Sequence, residues 1–237
     1  MLEKTKKVGS LVTMKSREVF LKTQVESLSP QFDELYVTLN GFDEKPAWIN
    51  SFQNVKAVCD STNSAKDIAK LLFASEFDDC HYFTLDDDIV YPPDYSKILS
   101  DKLLEYKNEC VVCYHGTILK PNWKIYYNHR SVLHYHQELK QDKEFDLAGT
   151  ATVAFHTGRL KIDFTKIWDF NIGSDMWIAY FAYLQGMKLM SIARPANWIL
   201  CKPGTQGKGI PLFVKVANDK EWQWKRNRFI KMWKSNG

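Results

Sequence analysis

Apolar runs of strand length alternate with helix-patterned segments four times within about the first 85 residues. A chain needs that alternation to build a parallel sheet, because every parallel crossover must run back along the sheet, usually as a helix. The strand-like runs cover 8–13, 35–39, 55–59 and 81–85. Between them, 16–27 brings Val19, Phe20, Thr23 and the following Leu28 roughly onto one face, and 64–77 turns Ile68, Leu71 and Leu72 inward, so both read as helices. Further on, the pattern predicts a helix over 95–107, strands over 111–115, 150–156 and 188–192, and a helix over 174–185. Ser174 is the expected N-cap of that last helix and Gly186 its stop. Short strands are expected near 123–127 and 132–135. The fold class is therefore α/β, a mostly parallel central sheet flanked by helices.

Composition narrows the partners. The 237 residues suit one large domain, or one domain with a C-terminal appendage, and 45% hydrophobic content supplies a core. A formal charge of +4 suits an anionic small molecule or a weak membrane-surface contact and is not a nucleic-acid signature. Nothing approaches the ~18 apolar residues of a membrane span. The basic start, Met1 to Lys7, leads into no secretion-signal core, and five cysteines form no disulfide framework, so the expected location is cytoplasmic. Cys110 and Cys113 are spaced as C-x-x-C, but no second pair follows and Val111-Val112 reads as strand core, which argues against structural zinc. His129, His134 and His136 read as polar surface.

The fourth strand ends in Asp86-Asp87-Asp88. Carboxylates bunched at the end of a buried strand repel one another and cost several kcal/mol to desolvate unless something positive arrives. Mg²⁺ and Mn²⁺ take oxygen ligands, and Mg²⁺ shares its shell between one or two carboxylates and substrate phosphates. Ligands of α/β sheets also sit at the carboxyl ends of strands. On an extended strand Asp86 and Asp88 share one side, so both are assigned to the metal, with Asp87 facing away. Asp175, in the first turn of the helix over 174–185, is either a complement to the helix dipole or a general base for an attacking hydroxyl. Gly149-Thr150 and His115-Gly116 stand at strand ends where a ligand can approach closely. The basic stretch 202–209 is a connector or a loop closing on an anion. The tail over 218–234 reads as a basic amphipathic helix, with Trp222, Phe229, Ile230 and Trp233 on one side, that lies on an anionic bilayer or docks on a protein.

Together these pieces resemble the sugar-nucleotide-dependent glycosyltransferases of GT-A fold, close to the family-2-like bacterial enzymes of surface-polysaccharide synthesis. The resemblance covers about 8–200. It rests on Leu85-Asp86-Asp87-Asp88-Ile89-Val90-Tyr91-Pro92-Pro93, on Gly149-Thr150-Ala151-Thr152-Val153-Ala154-Phe155-His156, and on Ser174-Asp175-Met176-Trp177-Ile178-Ala179. It implies a Rossmann-like catalytic domain over 1–200, with a nucleotide-sugar half (about 1–93) and an acceptor half (about 94–200), followed by a loop and helix over 201–237.

The triplet would be the family's DxD motif, holding Mn²⁺ or Mg²⁺ against the donor diphosphate, and Asp175 the catalytic base. Thr13, Arg17, Asn40, Lys66, Asp86 and Asp87 would bind the donor, a UDP-sugar. His115, Gly149 and Thr150 would meet a glycan or lipid-linked glycan acceptor. Where relatives often carry a Gly-Asp-x-Gly-Lys-like stretch, this chain has Asp60-Ser61-Thr62-Asn63-Ser64-Ala65-Lys66. Two other readings of the same residues are a sugar-nucleotide nucleotidyltransferase and a non-catalytic carbohydrate-binding module. The first would want a Gly-rich basic N-terminal loop, which Gly9-Ser10-Leu11-Val12 is not.

Overall fold

In the computed structural model, which describes residues 5–204 and 219–234, one eight-stranded sheet runs through the protein. The strands in chain order are β1 (Lys7–Met14), β2 (Glu34–Asn40), β3 (Val55–Asp60), β4 (His81–Asp86), β5 (Ile89–Val90), β6 (Cys110–Cys113), β7 (Gly116–Leu119), β8 (Arg130–Leu133), β9 (Lys143–Phe145), β10 (Leu147–Ala148), β11 (Thr152–His156), β12 (Lys188–Ser191) and β13 (Leu200–Cys201). The large sheet has the order β3-β2-β1-β4-β11-β6-β12-β9. Neighbours are parallel from β3 to β4 and between β6 and β12, while β11 and β9 run antiparallel to their neighbours. Two small sheets, β10-β7-β8 and β13-β5, complete it. The architecture is a mixed α/β fold of Rossmannoid type, with a mostly parallel sheet between helices.

The near-continuous apolar strands reflect burial on both faces, as parallel sheets require. In β4, side chains alternate between two cores. Phe83 and Leu85 join Leu21, Val25 and Leu28 of α1 (Glu18–Leu28) and Leu99 and Leu103 of α2 (Tyr95–Glu105). Tyr82 points the other way, into a core with Trp177, Ile178 and Phe181 of α3 (Ser174–Leu184). The C-terminal helix α4 (Lys220–Lys234) packs on that second core, with Phe229 4.7 Å from Trp177 between ring centroids and Trp233 5.4 Å from Tyr183. The face that the sequence offers to a membrane therefore packs largely on the protein's own domain. Residues 205–209 of the basic loop lie outside the described residues.

Three expectations need correction. Residues 64–77 form short 3₁₀ turns, Lys66–Leu71 and Ala74–Glu76, rather than an α-helix. Asn63 and Lys66 adopt positive φ (52° and 50°), the Asp60 carboxylate takes the Ala65 N–H at 3.0 Å, and Asn40 Nδ2 donates to the Lys66 carbonyl at 3.0 Å. The Lys66 carbonyl, which a helix would need, is thus taken by a side chain, and the positive φ at Lys66 breaks the helical path. Residues 123–127 are turn, and strand pairing falls instead on β7 and β8. The N-cap of α3 is Gly173, not Ser174.

Burial within β4 also sets an acid limit. His81 is fully buried, with Nε2 3.0 Å from the Asn108 side-chain oxygen and Nδ1 without a partner. Burial, and then the neighbouring His156, push its pKa down to about 4 against the upward pull of Asn108. The unfolded chain binds this proton near pH 6.5, so stability is complete above that value and is lost as pH falls towards 4. Between pH 7 and pH 5 the term amounts to about 2 kcal/mol. Urea unfolding at the two pH values should show His81→Gln losing about that much less stability than the wild type.

Candidate functional site

Parallel pairing brings three strand ends to one edge. Met14 lies opposite Asn40, Thr13 opposite Leu39, and Val12 opposite Asp86. At this edge β4 stops at Asp86, and Asp87-Asp88 form a tight turn into β5. Side chains fix the turn. The Tyr91 hydroxyl accepts the Asp86 N–H at 2.8 Å and donates to the Ala151 carbonyl at 2.6 Å, while Gln24 Nε2 of α1 donates to the carbonyls of Asp86 (3.1 Å) and Ile89 (2.9 Å).

Because Asp87 and Asp88 sit in a turn, strict in–out alternation does not carry past Asp86. Asp87 is buried, accepting from Thr13 Oγ1 at 2.6 Å and Arg17 Nη1 at 2.7 Å, so it ties β1 and the start of α1 to the turn. The same Arg17 nitrogen reaches Asp88 Oδ2 at 3.1 Å. Asp86 Oδ1 pairs with Lys70, a buried lysine whose Nζ lies 3.4 Å from Thr150 Oγ1. Despite burial, which opposes its charge, Asp86 and Asp67 push the Lys70 pKa up.

The three carboxylates thus pair directly with two fixed cations, Arg17 and Lys70, while Lys202, bonded to Gln24 of α1, also acts on Asp87, and Asp88 carries the remaining imbalance. Burial first, and then Asp86 and Asp87, push its carboxyl up to about 6 against the opposing pull of Arg17 and Lys70. Such a group is relieved by more positive charge. Among the described residues no group of three or more His, Cys, Asp and Glu side chains is arranged to hold a metal ion. A site that shares its cation with a diphosphate needs only one or two carboxylates. Asp86 and Asp88 fit that requirement. Each is engaged through one oxygen, and their side chains keep 31% and 29% exposure.

A polar relay connects this edge to α3. Thr150 Oγ1 lies 2.8 Å from Ser174 Oγ, and Asp67 Oδ2 accepts both the Ser174 N–H (2.9 Å) and its hydroxyl (2.7 Å). The Ser174 hydroxyl is thereby drawn away from capping. Next to it, Asp175 receives a two-pronged ion pair from Arg226 of α4, Nη1 to Oδ2 at 3.1 Å and Nη2 to Oδ1 at 3.0 Å. Arg226 is itself buried, its guanidinium stacked 3.7 Å from the Trp222 ring centroid. The planar fork matches a carboxylate and fixes its orientation.

Gly173 makes this pairing possible. Its φ is +101°, and an added Cβ would collide with the Arg226 guanidinium and lie 2.7 Å from Asp175 Oδ1. Gly173→Ala is expected to cost about 1–3 kcal/mol from backbone strain alone. The measurement is a denaturant midpoint, which should fall.

The remaining candidates divide by location. Asn40 stands at the β2 end with Oδ1 buried and unpartnered, close to the triplet's edge, and Lys66 bonds to the Asn171 side chain in the loop before α3. His115 and Gly149 contact each other: the Gly149 N–H donates to the His115 carbonyl at 2.7 Å, and a Cβ on Gly149 would lie 2.8 Å from the ring's Cγ. Burial, and then His134, push the His115 imidazole down to about 3, which keeps it neutral. His134 stacks on His136, with ring centroids 5.5 Å apart and both residues exposed.

Lys70, Asp67 and Arg226 were not legible as site residues. A lysine inside Ile68-Ala69-Lys70-Leu71-Leu72-Phe73 is the one local signal, since lysine is rarely buried unless paired. No family model matches this chain, and no curated protein matches it.

Proposed function

We propose that the protein is a metal-dependent glycosyltransferase of GT-A type, moving a sugar from a nucleoside-diphosphate sugar, with a UDP-sugar as first candidate, to a hydroxyl of a glycan or lipid-linked glycan. The observation that carries this reading is the charge imbalance at the carboxyl end of β4. There, two partly exposed carboxylates stand between fixed cations, and one of them is held at about 6. Asp86 and Asp88 would hold Mn²⁺ or Mg²⁺, which when bound supplies Lewis-acid stabilisation of the departing diphosphate.

The chain's own groups do the rest. Arg17 is hydrogen-bonded to both Asp87 and Asp88, which fixes it at the edge where a diphosphate would lie. Thr13 and Asn40 stand on the neighbouring strand ends, as a nucleoside pocket requires. Asp175, oriented by Arg226, would accept the proton of the acceptor hydroxyl as its oxygen attacks the anomeric carbon. The bond to the diphosphate breaks, the nucleoside diphosphate leaves with the electron pair, and direct displacement inverts the anomeric centre. The relay Lys70–Thr150–Ser174 ties donor edge and base helix together, so the two reacting groups keep a fixed relation.

Incubation with a panel of nucleotide sugars, Mn²⁺ and glycan or glycolipid acceptors tests this reading. Release of nucleoside diphosphate coupled to a glycosylated product supports it. Release of pyrophosphate from sugar phosphate and nucleoside triphosphate would instead assign the site to nucleotidyl transfer.

A further inference from the structure

The outward face of α4 has a composition unlike the face that packs inward. Along the helix, Trp224, Arg228 and Met232 follow one another at four-residue spacing, with Lys220 and Lys231 beside them, whereas Phe229, Ile230 and Trp233 are buried. Trp224 is 55% exposed and Met232 49%, and Trp168, in the loop before α3, is 64% exposed. These three line one shallow cleft of about 290 Å³ with Asp169, Lys225 and Arg228. Two tryptophans and a methionine left this exposed around one cleft form an apolar cluster of the kind that marks an interaction site.

The charges around the cleft choose the partner. Helix α4 carries Lys220, Lys225, Arg226, Arg228, Lys231 and Lys234 against a single acid, Glu221. Lys225 pairs with Glu221 and Asp169, Arg226 with Asp175, and Lys234 with Asp146. Among the described residues Lys220, Arg228 and Lys231 form no ion pair, and they sit on the outward stripe that holds Trp224 and Met232. Arg228 lies 5.3 Å from the Trp224 ring centroid. Exposed tryptophan and methionine interleaved with unpaired cations is the pattern of a surface that settles at the headgroup level of an anionic bilayer.

We propose that the protein docks on anionic lipid surfaces through Trp168, Trp224, Arg228, Lys231 and Met232, the outer face of α4 and the loop beside it. This surface is distinct from the triplet's edge, and the inference does not depend on glycosyl transfer. It has one consequence for the site: the Arg226–Asp175 ion pair joins the docked helix to the start of α3.

Flotation of the full chain with vesicles tests it. Binding is expected to phosphatidylcholine vesicles containing phosphatidylglycerol, and to be weaker to phosphatidylcholine alone and at high salt. Both Trp168→Ser/Trp224→Ser and Arg228→Glu/Lys231→Glu should lower the partition coefficient at least about tenfold. Asp88→Ala should float like the wild type, which separates this inference from the proposed reaction. No flotation with anionic vesicles, or undiminished flotation of both double variants, overturns it. A concentration-dependent dimer without flotation that these substitutions disperse would assign the face to a second copy instead.

Discussion

Asp88→Ala is expected to abolish nucleotide-sugar turnover while leaving the protein folded. Asp88 keeps its side chain part-exposed and makes one contact to Arg17, so its removal leaves no buried group stranded. It also removes the carboxyl group that burial and its acidic neighbours push up to about 6, the one with most to gain from a cation. Asp87→Ala is the informative contrast. Asp87 is buried between Thr13 and Arg17, and losing it leaves the Thr13 hydroxyl without its acceptor and Arg17 with Asp88 alone, a change that costs about 1–3 kcal/mol. Loss of activity in Asp87→Ala should therefore come with a lower denaturant midpoint, whereas in Asp88→Ala the midpoint should hold. Nucleoside diphosphate release together with urea unfolding distinguishes the two.

Asp175→Asn is expected to retain donor binding and to lower turnover by at least about 10²-fold, the scale of general-base loss. The amide keeps the shape but presents Nδ2–H₂ to one prong of Arg226, so part of the ion pair is lost as well. Arg226→Met separates orientation from chemistry. It leaves the carboxylate in place but unpaired, and should lower turnover less than Asp175→Asn does while also loosening α4. Single-turnover rates at saturating donor provide the measurement. Unchanged turnover in Asp175→Asn would make Asp175 an anchor for the C-terminal helix and nothing more.

Much of the sheet can be read from the chain because its signals are local. Strands β1, β2 and β4 announce themselves as apolar runs whose burial on both faces explains their lack of alternation, whereas the edge strand β3 exposes Lys56 and Val58. The 64–77 segment departs from its helical spacing because residues outside it, one of them on β2, decide its path. Asn40 takes the Lys66 carbonyl and Lys66 adopts a positive φ, and periodicity carries no trace of either. The triplet was legible as a charge problem at a strand end, whereas the division of labour inside it was not. Extended alternation assigns Asp86 and Asp88 to one side, but the turn sends Asp87 inward to Thr13 and gives Asp88 a share of Arg17. Lys70 and Arg226, the cations that pair with Asp86 and Asp175, come from 16 and 51 residues away. Pairings over such distances follow from the tertiary fold.

The central claim is that the carboxyl end of β4 is a metal–diphosphate site. Calorimetric titration of UDP into the protein tests it most directly, with Mn²⁺ present, with a chelator in its place, and with Mn²⁺ in Asp88→Ala. UDP should bind in the first case and not detectably in the other two. Equal UDP affinity with and without Mn²⁺, or in wild type and Asp88→Ala, would contradict the account.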